Sequence, residues 1–474
     1  MINLESCFFF DAVEDSYEVT GIEGRLPDWL RGSYYVNGPA RFERDGRRYR
    51  HWLDGDGMVC ALHFGDAGVR FVSRFVRTRK LADEEQAGAF LYRGFGTAFD
   101  GDRLRRNVML ESPMNINVLL RGRELLAFGE QSLPMRLHPE TLETLGEVDF
   151  GGSLNEVTPF AAHAKLDPRS GNLLNFGISY AAERPALHLY EIGPDESLLR
   201  RRHVRLRMPH SNHDFGFTSG HAVFFLSPMT MDFERFVRDR ASVMDSLTWE
   251  PERGSSILMI PRVAGGGESF SVAAGHGYCL HVINAFETGK RLVLDILELE
   301  RPVYPEYQPM PHLFASAPRC SPVRYVVDLE TRRLDQRIRL GYDLNSDFPA
   351  IDPKLLSAQY QDFWLLGISA TGGSGTKFFD VLGHGSWAAG NVDDQYRMPT
   401  GEYLAGEPTF VENPHQPEEG FVIVQHVNTR TGKAAFLIFD AFAVHRGPVI
   451  RLPLRHRLHP LFHAGFYPSA EQAR

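Results

Sequence analysis

Apolar residues in this chain come in short bursts. Glu124–Phe128, Asn172–Gly177, Arg291–Leu297, Tyr325–Leu329, Gly420–Val424 and Ala435–Asp440 are runs of strand length, alternating or continuously apolar. Helical periodicity is scarce. Between the bursts lie turn clusters with a common theme: Leu137–Gly146, Leu166–Gly171, Asp328–Arg333 and Asn428–Gly432. Each places Asp, Asn or Pro ahead of Thr or Ser, often with a following Gly, which is turn chemistry between hairpin strands. Their recurrence predicts repeated antiparallel sheets and an all-β fold. A propeller suits this length, because radial repetition leaves few exposed sheet edges. No low-complexity linker interrupts the pattern, so residues 1–474 read as a single domain, with loops and short helices capping one face.

Composition narrows the function classes. Hydrophobic residues make up 43% and charged residues 23%, as in a globular protein with a sizeable core. The net charge of -9 and pI near 6.1 argue against nucleic acid as a partner, since phosphate backbones need clustered Lys and Arg. The local run Arg200–Arg205 reads as a solvated strand face or as a patch for anionic lipid headgroups. Cys7, Cys60, Cys279 and Cys320 are far apart, which fits neither a zinc ribbon nor a disulfide framework and predicts a reducing, cytoplasmic setting. The start of the chain lacks the marks of a signal peptide, and no run of 18 apolar residues occurs. Association with a membrane surface stays open.

Nineteen histidines are present. Four have unusual surroundings: His163 before a strand turn, His213 before Asp-Phe, His281 inside an apolar strand and His463 near the C-terminus. Taken singly, each reads as a satisfied core histidine. No helical i, i+4 pair and no H-E-x-x-H occurs, so a site made from these four must draw on separate strands. Blades converging on an axis can supply that, although spacing does not establish it. Other signals are weak. Asp54-Gly-Asp56-Gly lacks the rest of a calcium loop. Gly265–Glu268 is not followed by Gly-Lys-Ser/Thr, and no G-x-S-x-G is present.

Several ordered motifs, however, resemble those of one family. They are Gly24–Ala40, His51–Met58, Gly129–Pro134 with Glu130, Thr141–Gly146, His213-Asp-Phe, Asn284–Glu287 and Gly406–Val411. Together they are similar to carotenoid cleavage oxygenases from about Gly21 to Phe466. The resemblance implies a seven-bladed β-propeller holding one Fe(II) at its hub. Carried over by motif, the metal ligands are His163, His213, His281 and His463, with His456 and His459 as neighbouring alternatives to the last. Three carboxylates are implied behind the ligands: Glu130, Glu407 and Asp347. The family has Glu where Asp347 stands, so contact with its histidine through water or a backbone shift is one expectation. Ile116 matches a position whose side chain crowds an open iron site.

The implied chemistry accounts for these residue types. Four neutral imidazoles leave a metal its full charge and two open positions. Carboxylates behind them fix ring tautomer and orientation. O2 is then the co-substrate, and the protein orients an electron-rich alkene. Phe160, Tyr180, Phe215, Phe233, Phe236 and Trp387 are candidate tunnel residues for an apolar conjugated substrate. The stretch Leu226–Phe236 reads as an apolar membrane-facing loop or as a buried one. Gly129 stands where stilbene-cleaving members carry Lys, which favours a carotenoid or apocarotenoid over a hydroxystilbene. A retinyl-ester isomerase and a metal-free propeller scaffold are the remaining readings.

Overall fold

The structure, a computed structural model, describes residues 2–180, 184–263 and 265–469. Its strands form seven antiparallel sheets arranged as a propeller, with two further two-stranded ribbons. Six blades are four-stranded meanders. Their first strands are Asn117–Arg121, Lys165–Leu166, Gly216–Phe217, Tyr278–Thr288, Asn345–Ala350 and Glu402–Glu412. The first strands contact one another around the hub from Gly216–Phe217 through Tyr278–Thr288, Asn345–Ala350 and Glu402–Glu412 to the closing strand Ala464–Pro468 and on to Asn117–Arg121.

Burial follows from this arrangement. Strands between two neighbouring blades have both faces covered, which is why Arg291–Leu299 and Ala434–Asp440 are nearly continuous apolar runs. Outermost strands face water on one side. Leu198–Arg205 therefore alternates, with Arg201, His203 and Arg205 outward, and the basic run of the sequence is this solvated edge.

The remaining blade joins both ends of the chain. Its order is Asp15–Glu18, Gly68–Phe75, Asp56–Gly65, Gly32–Ala40 and, innermost, Ala464–Pro468. The last strand pairs antiparallel with Gly32–Val36. Beside this seam Gly38 packs on the incoming chain, where a Cβ would lie 2.5 Å from the Leu461 Cα. Only glycine admits that approach.

One face carries the cap. It contains the helix Arg79–Ala87, N-capped by Thr78, the helix Phe233–Arg238, N-capped by Asp232, and the 3-10 turn Tyr304–Tyr307. Among the described residues no helix is long and apolar enough to cross a membrane. The stretch Leu226–Phe236 folds inward. Met229–Met231 pairs with Leu247–Trp249, and Met229, Met231 and Phe236 are buried. The membrane-facing loop read from this stretch is therefore not an exposed apolar patch.

Candidate metal centre

The hub strands deliver the candidate residues one blade at a time. His163 and His213 lie just before Lys165–Leu166 and Gly216–Phe217, and His463 directly precedes Ala464–Pro468. His281 lies inside Tyr278–Thr288. Asp347 and Glu407 come from the hub strands of the next two blades. Glu130 follows the strand Glu124–Phe128.

Local irregularity aims these side chains. The pairing register shifts between Cys279 and Val282, between Asp347 and Ala350, and between Ala405 and Thr409. Each irregular stretch contains or begins at a candidate residue, and a bulge re-aims a side chain. A left-handed residue also adjoins every carboxylate: Gln131 at φ 60°, Phe348 at φ 54° and Gly406 at φ 73°. Two of these are not glycine, a conformation sustained only when the surroundings over-determine it.

The four imidazoles converge. Their candidate donor nitrogens all lie within 4.8 Å of one another, and every ring is buried. His163 Nε2 and His213 Nε2 are 2.9 Å apart. The outer nitrogens meet carboxylates. His213 Nδ1 is 2.5 Å from Glu130 Oε1, and His463 Nδ1 is 3.3 Å from Glu407 Oε2. His281 Nδ1 meets Asp347 Oδ1 directly, so the shorter acid reaches its histidine without a bridging group. The Tyr307 hydroxyl donates to Asp347 Oδ2 at 2.9 Å. His456 instead contacts Asp15, and His459 contacts the Phe8 carbonyl and stacks on Phe10. Neither belongs to the cluster.

Electrostatics separate the rings. Burial, then the three neighbouring imidazoles, hold His163 well below the usual histidine range. Burial lowers His463 despite the opposing pull of Glu407. Burial pulls His281 down too, but the Asp347 carboxylate outweighs it and the net shift is upward. Asp347 itself stays below its ordinary value, because His281 and the hydrogen bonds it accepts overcome its burial.

This donor set fits a divalent transition metal. His281 Nε2 is buried with no hydrogen-bond partner, and orphaned polar atoms are costly unless a ligand satisfies them. Bonds of about 2.1 Å from nitrogen to a metal put adjacent donors about 3 Å apart, comparable to the closest pair here. A set of only neutral imidazoles suits iron, copper, nickel or zinc. Ile116 is buried beside the cluster, and its carbonyl accepts from the His463 amide at 3.3 Å.

An apolar cavity of about 260 Å³ adjoins His213 and Glu130. Phe95, Leu110, Ile178, Met231, Phe233 and Phe236 supply much of its wall, and Tyr180 and Tyr304 also line it. Of the six aromatics expected from the sequence to line a tunnel, Tyr180, Phe233 and Phe236 line this cavity. Phe160, Phe215 and Trp387 are not in this wall. Phe160 packs between Phe150 and Tyr190, and Phe215 between Phe176 and Phe224. Trp387 lies against Phe363 under the Arg324 guanidinium, and its indole N–H donates to the Tyr360 hydroxyl. These three aromatics fill the body of the propeller. Sequence reasoning missed Tyr304 and Tyr307, which come from the cap, and the Lys165–Asp214 pair, whose Nζ–Oδ1 distance is 2.8 Å. The His-Asp-Phe motif was the available signal for Asp214.

Known proteins are similar to this chain along most of its length. The family model of retinal pigment epithelial membrane protein matches residues 9–468. Apocarotenoid-15,15'-oxygenase of Synechocystis is 28% identical, with 94% of this chain and 92% of that protein covered. Isoeugenol monooxygenase of Pseudomonas nitroreducens is 27% identical, covering 94% of each. Lignostilbene-alpha,beta-dioxygenase isozyme III of Sphingomonas paucimobilis is 28% identical, covering 95% of this chain and 94% of that one. Among solved structures, cobalt-substituted Synechocystis apocarotenoid oxygenase superposes with a TM-score of 0.88 at 25% identity, covering 98% of both chains. This chain belongs to the retinal pigment epithelial membrane protein family, the family of the carotenoid cleavage oxygenases.

Proposed function

We propose that this chain is an Fe(II)-dependent dioxygenase that cleaves a C=C bond of a carotenoid or apocarotenoid to aldehyde or ketone products. One observation carries the reading: four imidazoles from four blades meet beside an apolar cavity. His163, His213, His281 and His463 would hold one iron per chain, with Glu130, Asp347 and Glu407 orienting three of the rings. Bound iron would supply dioxygen activation.

The protein's own part is placement. The cavity wall is mostly apolar, so it can hold a conjugated chain without competing hydrogen bonds. Burial raises the Tyr180 and Tyr304 phenols, so they stay neutral and add no charge to that wall. Ile116 limits the room beside His463. Val108 and Val157, exposed where the cavity wall reaches the surface, are the candidate contact with a bilayer. Four free, buried cysteines support a reducing compartment.

A second reading is a phenolic aryl alkene, in line with the isoeugenol- and lignostilbene-oxidising relatives. It is favoured by Tyr180, a phenol on the cavity wall with no hydrogen bond from its hydroxyl to another described residue. It is disfavoured at Gly129, where a Cβ would lie 2.0 Å from Ser112 Oγ and 3.2 Å from the Met114 nitrogen. A lysine there does not fit without rearrangement.

The test is iron content and turnover of the wild type against His281→Ala. Protein loaded anaerobically with Fe(II) is given O2 with apocarotenoids and, in parallel, hydroxystilbenes and isoeugenol. Near-stoichiometric iron and aldehydes from apocarotenoids, both lost in the variant, are expected. Turnover confined to aryl alkenes would move the assignment to the second reading. Folded wild type that binds no iron would overturn both.

A further inference from the structure

His163 stands apart from the other three rings, each of which has its own carboxylate within 3.3 Å. Among the described residues, the one acidic group within 4 Å of it is Asp214, with Oδ1 3.6 Å from Nδ1. Asp214 is buried and engaged on several sides. Its Oδ1 accepts from the Phe215 amide at 2.8 Å and from Lys165 Nζ at 2.8 Å. Its Oδ2 accepts from the Val282 amide at 2.8 Å. Each donor lies within two residues of a cluster histidine: Lys165 of His163, Phe215 of His213 and Val282 of His281. One carboxylate thereby ties three histidine-bearing segments together.

We infer that Asp214, balanced by Lys165, is a fourth positioning carboxylate of the metal site, orienting His163 and setting the spacing of three of the four rings. The inference rests on the metal reading above. Charge explains the lysine. Three carboxylates around a divalent ion leave one net negative charge, Asp214 makes it two, and Lys165 returns it to one. Lys165 also divides the attraction of Asp214 between itself and the His163 N–H. Removing Lys165 should leave His163 as the one side chain sharing Asp214 with the Phe215 and Val282 amides, and take a positive charge away from the cation site.

The two halves of the pair should then act in opposite directions. Metal-free wild type, Asp214→Asn, Lys165→Met and Lys165→Arg are titrated anaerobically with Co(II), reading Kd and the visible d–d bands, with Tm alongside. Asp214→Asn should weaken Co(II) binding by about 10–100-fold and shift the bands. Lys165→Met should tighten it by at least about threefold, and Lys165→Arg should resemble wild type. A purely structural pair would lose affinity in both variants, in step with Tm, and that result would overturn the inference. Wild-type affinity and spectrum in both would do the same. Should Asp214→Asn fail to fold, Lys165→Met decides alone, since only tightening supports the role. Wild type that binds no Co(II) would instead remove the metal reading beneath it.

Discussion

A carboxylate one methylene shorter can reach its target if the backbone comes to meet it. Asp347 does so through the register shift toward Ala350 and the left-handed Phe348, and its second oxygen is held by Tyr307. Tyr307→Phe should therefore weaken metal binding by about tenfold, because a hydrogen bond to a buried charge is worth about 1.5–3 kcal/mol and part of it reports on ring orientation. A Co(II) titration with unchanged affinity would count against that link. Asp347→Glu, the substitution toward the family pattern, should give no gain. Direct contact already exists, so the added methylene overpacks the site at a cost of about 1–3 kcal/mol, readable as a lower denaturation midpoint. Gly129 poses the opposite problem, since the space is already taken by Ser112 and Met114. Gly129→Ala should destabilise by about 1–3 kcal/mol by the same overpacking argument, and Ser112→Gly in addition should recover part of the loss.

At the scale of elements, the cavity depends on how the cap is fastened. The helix Phe233–Arg238 carries two wall residues, and Arg93 anchors its end by donating to the Phe236 carbonyl at 2.7 Å and the Ala241 carbonyl at 3.2 Å. Arg93 also forks onto Asp102, and both side chains are buried. Arg93→Met should cost about 3–5 kcal/mol, because it strands the Asp102 carboxylate, and should raise KM through a loosened wall. Intact KM with lost stability would detach the anchor from function. The pH sign follows. Burial pushes the Asp102 carboxyl up, but Arg93, the Phe99 amide and Arg240 outweigh it and hold it below its ordinary value. Its contribution is thus complete above the unfolded carboxyl pKa near 3.9 and fades as pH falls through the lower folded value. Elements of this kind were unevenly legible. Burst patterns marked strands such as Glu124–Phe128 and Ala434–Asp440, whose faces are covered by neighbouring blades. Lys165–Leu166 and Gly216–Phe217 are too short to carry any period. The register shifts that turn His281, Asp347 and Glu407 inward leave no mark in a hydropathy pattern, so Asp347 and Glu407 were legible only through family motifs, and His281 stood out by its apolar strand but not by its inward aim. Aromatic content likewise does not distinguish Phe215, wedged among blade aromatics, from Phe236 on the cavity wall.

For the whole molecule, metal binding and ring closure are linked by adjacency. His463 directly precedes Ala464–Pro468, the innermost strand of a blade whose other strands come from the N-terminal region. Its amide donates to the Ile116 carbonyl in the next blade, and its carbonyl accepts from the Asn37 amide. A metal held by four blades would therefore staple the closing seam to three distant points of the ring. Because the unfolded chain cannot gather those ligands, binding adds directly to stability, by about 2.7 kcal/mol at a free metal concentration 100 times Kd. Saturating Co(II) should raise Tm by several degrees, and a chelator should reverse the shift without loss of the β circular-dichroism signal. In His463→Ala the increment should fall to a small fraction of the wild-type value, since the staple loses its attachment to the closing strand. An equivalent loss from His163→Ala would show only that a ligand is missing. The distinguishing observation is where the protein opens. Hydrogen exchange in Gly32–Val36 and Ala464–Pro468 should slow on metal addition in wild type and in His163→Ala at high metal, but not in His463→Ala. Exchange at the seam that ignores metal in all three would mean that the hydrogen bonds between those two strands close the ring unaided.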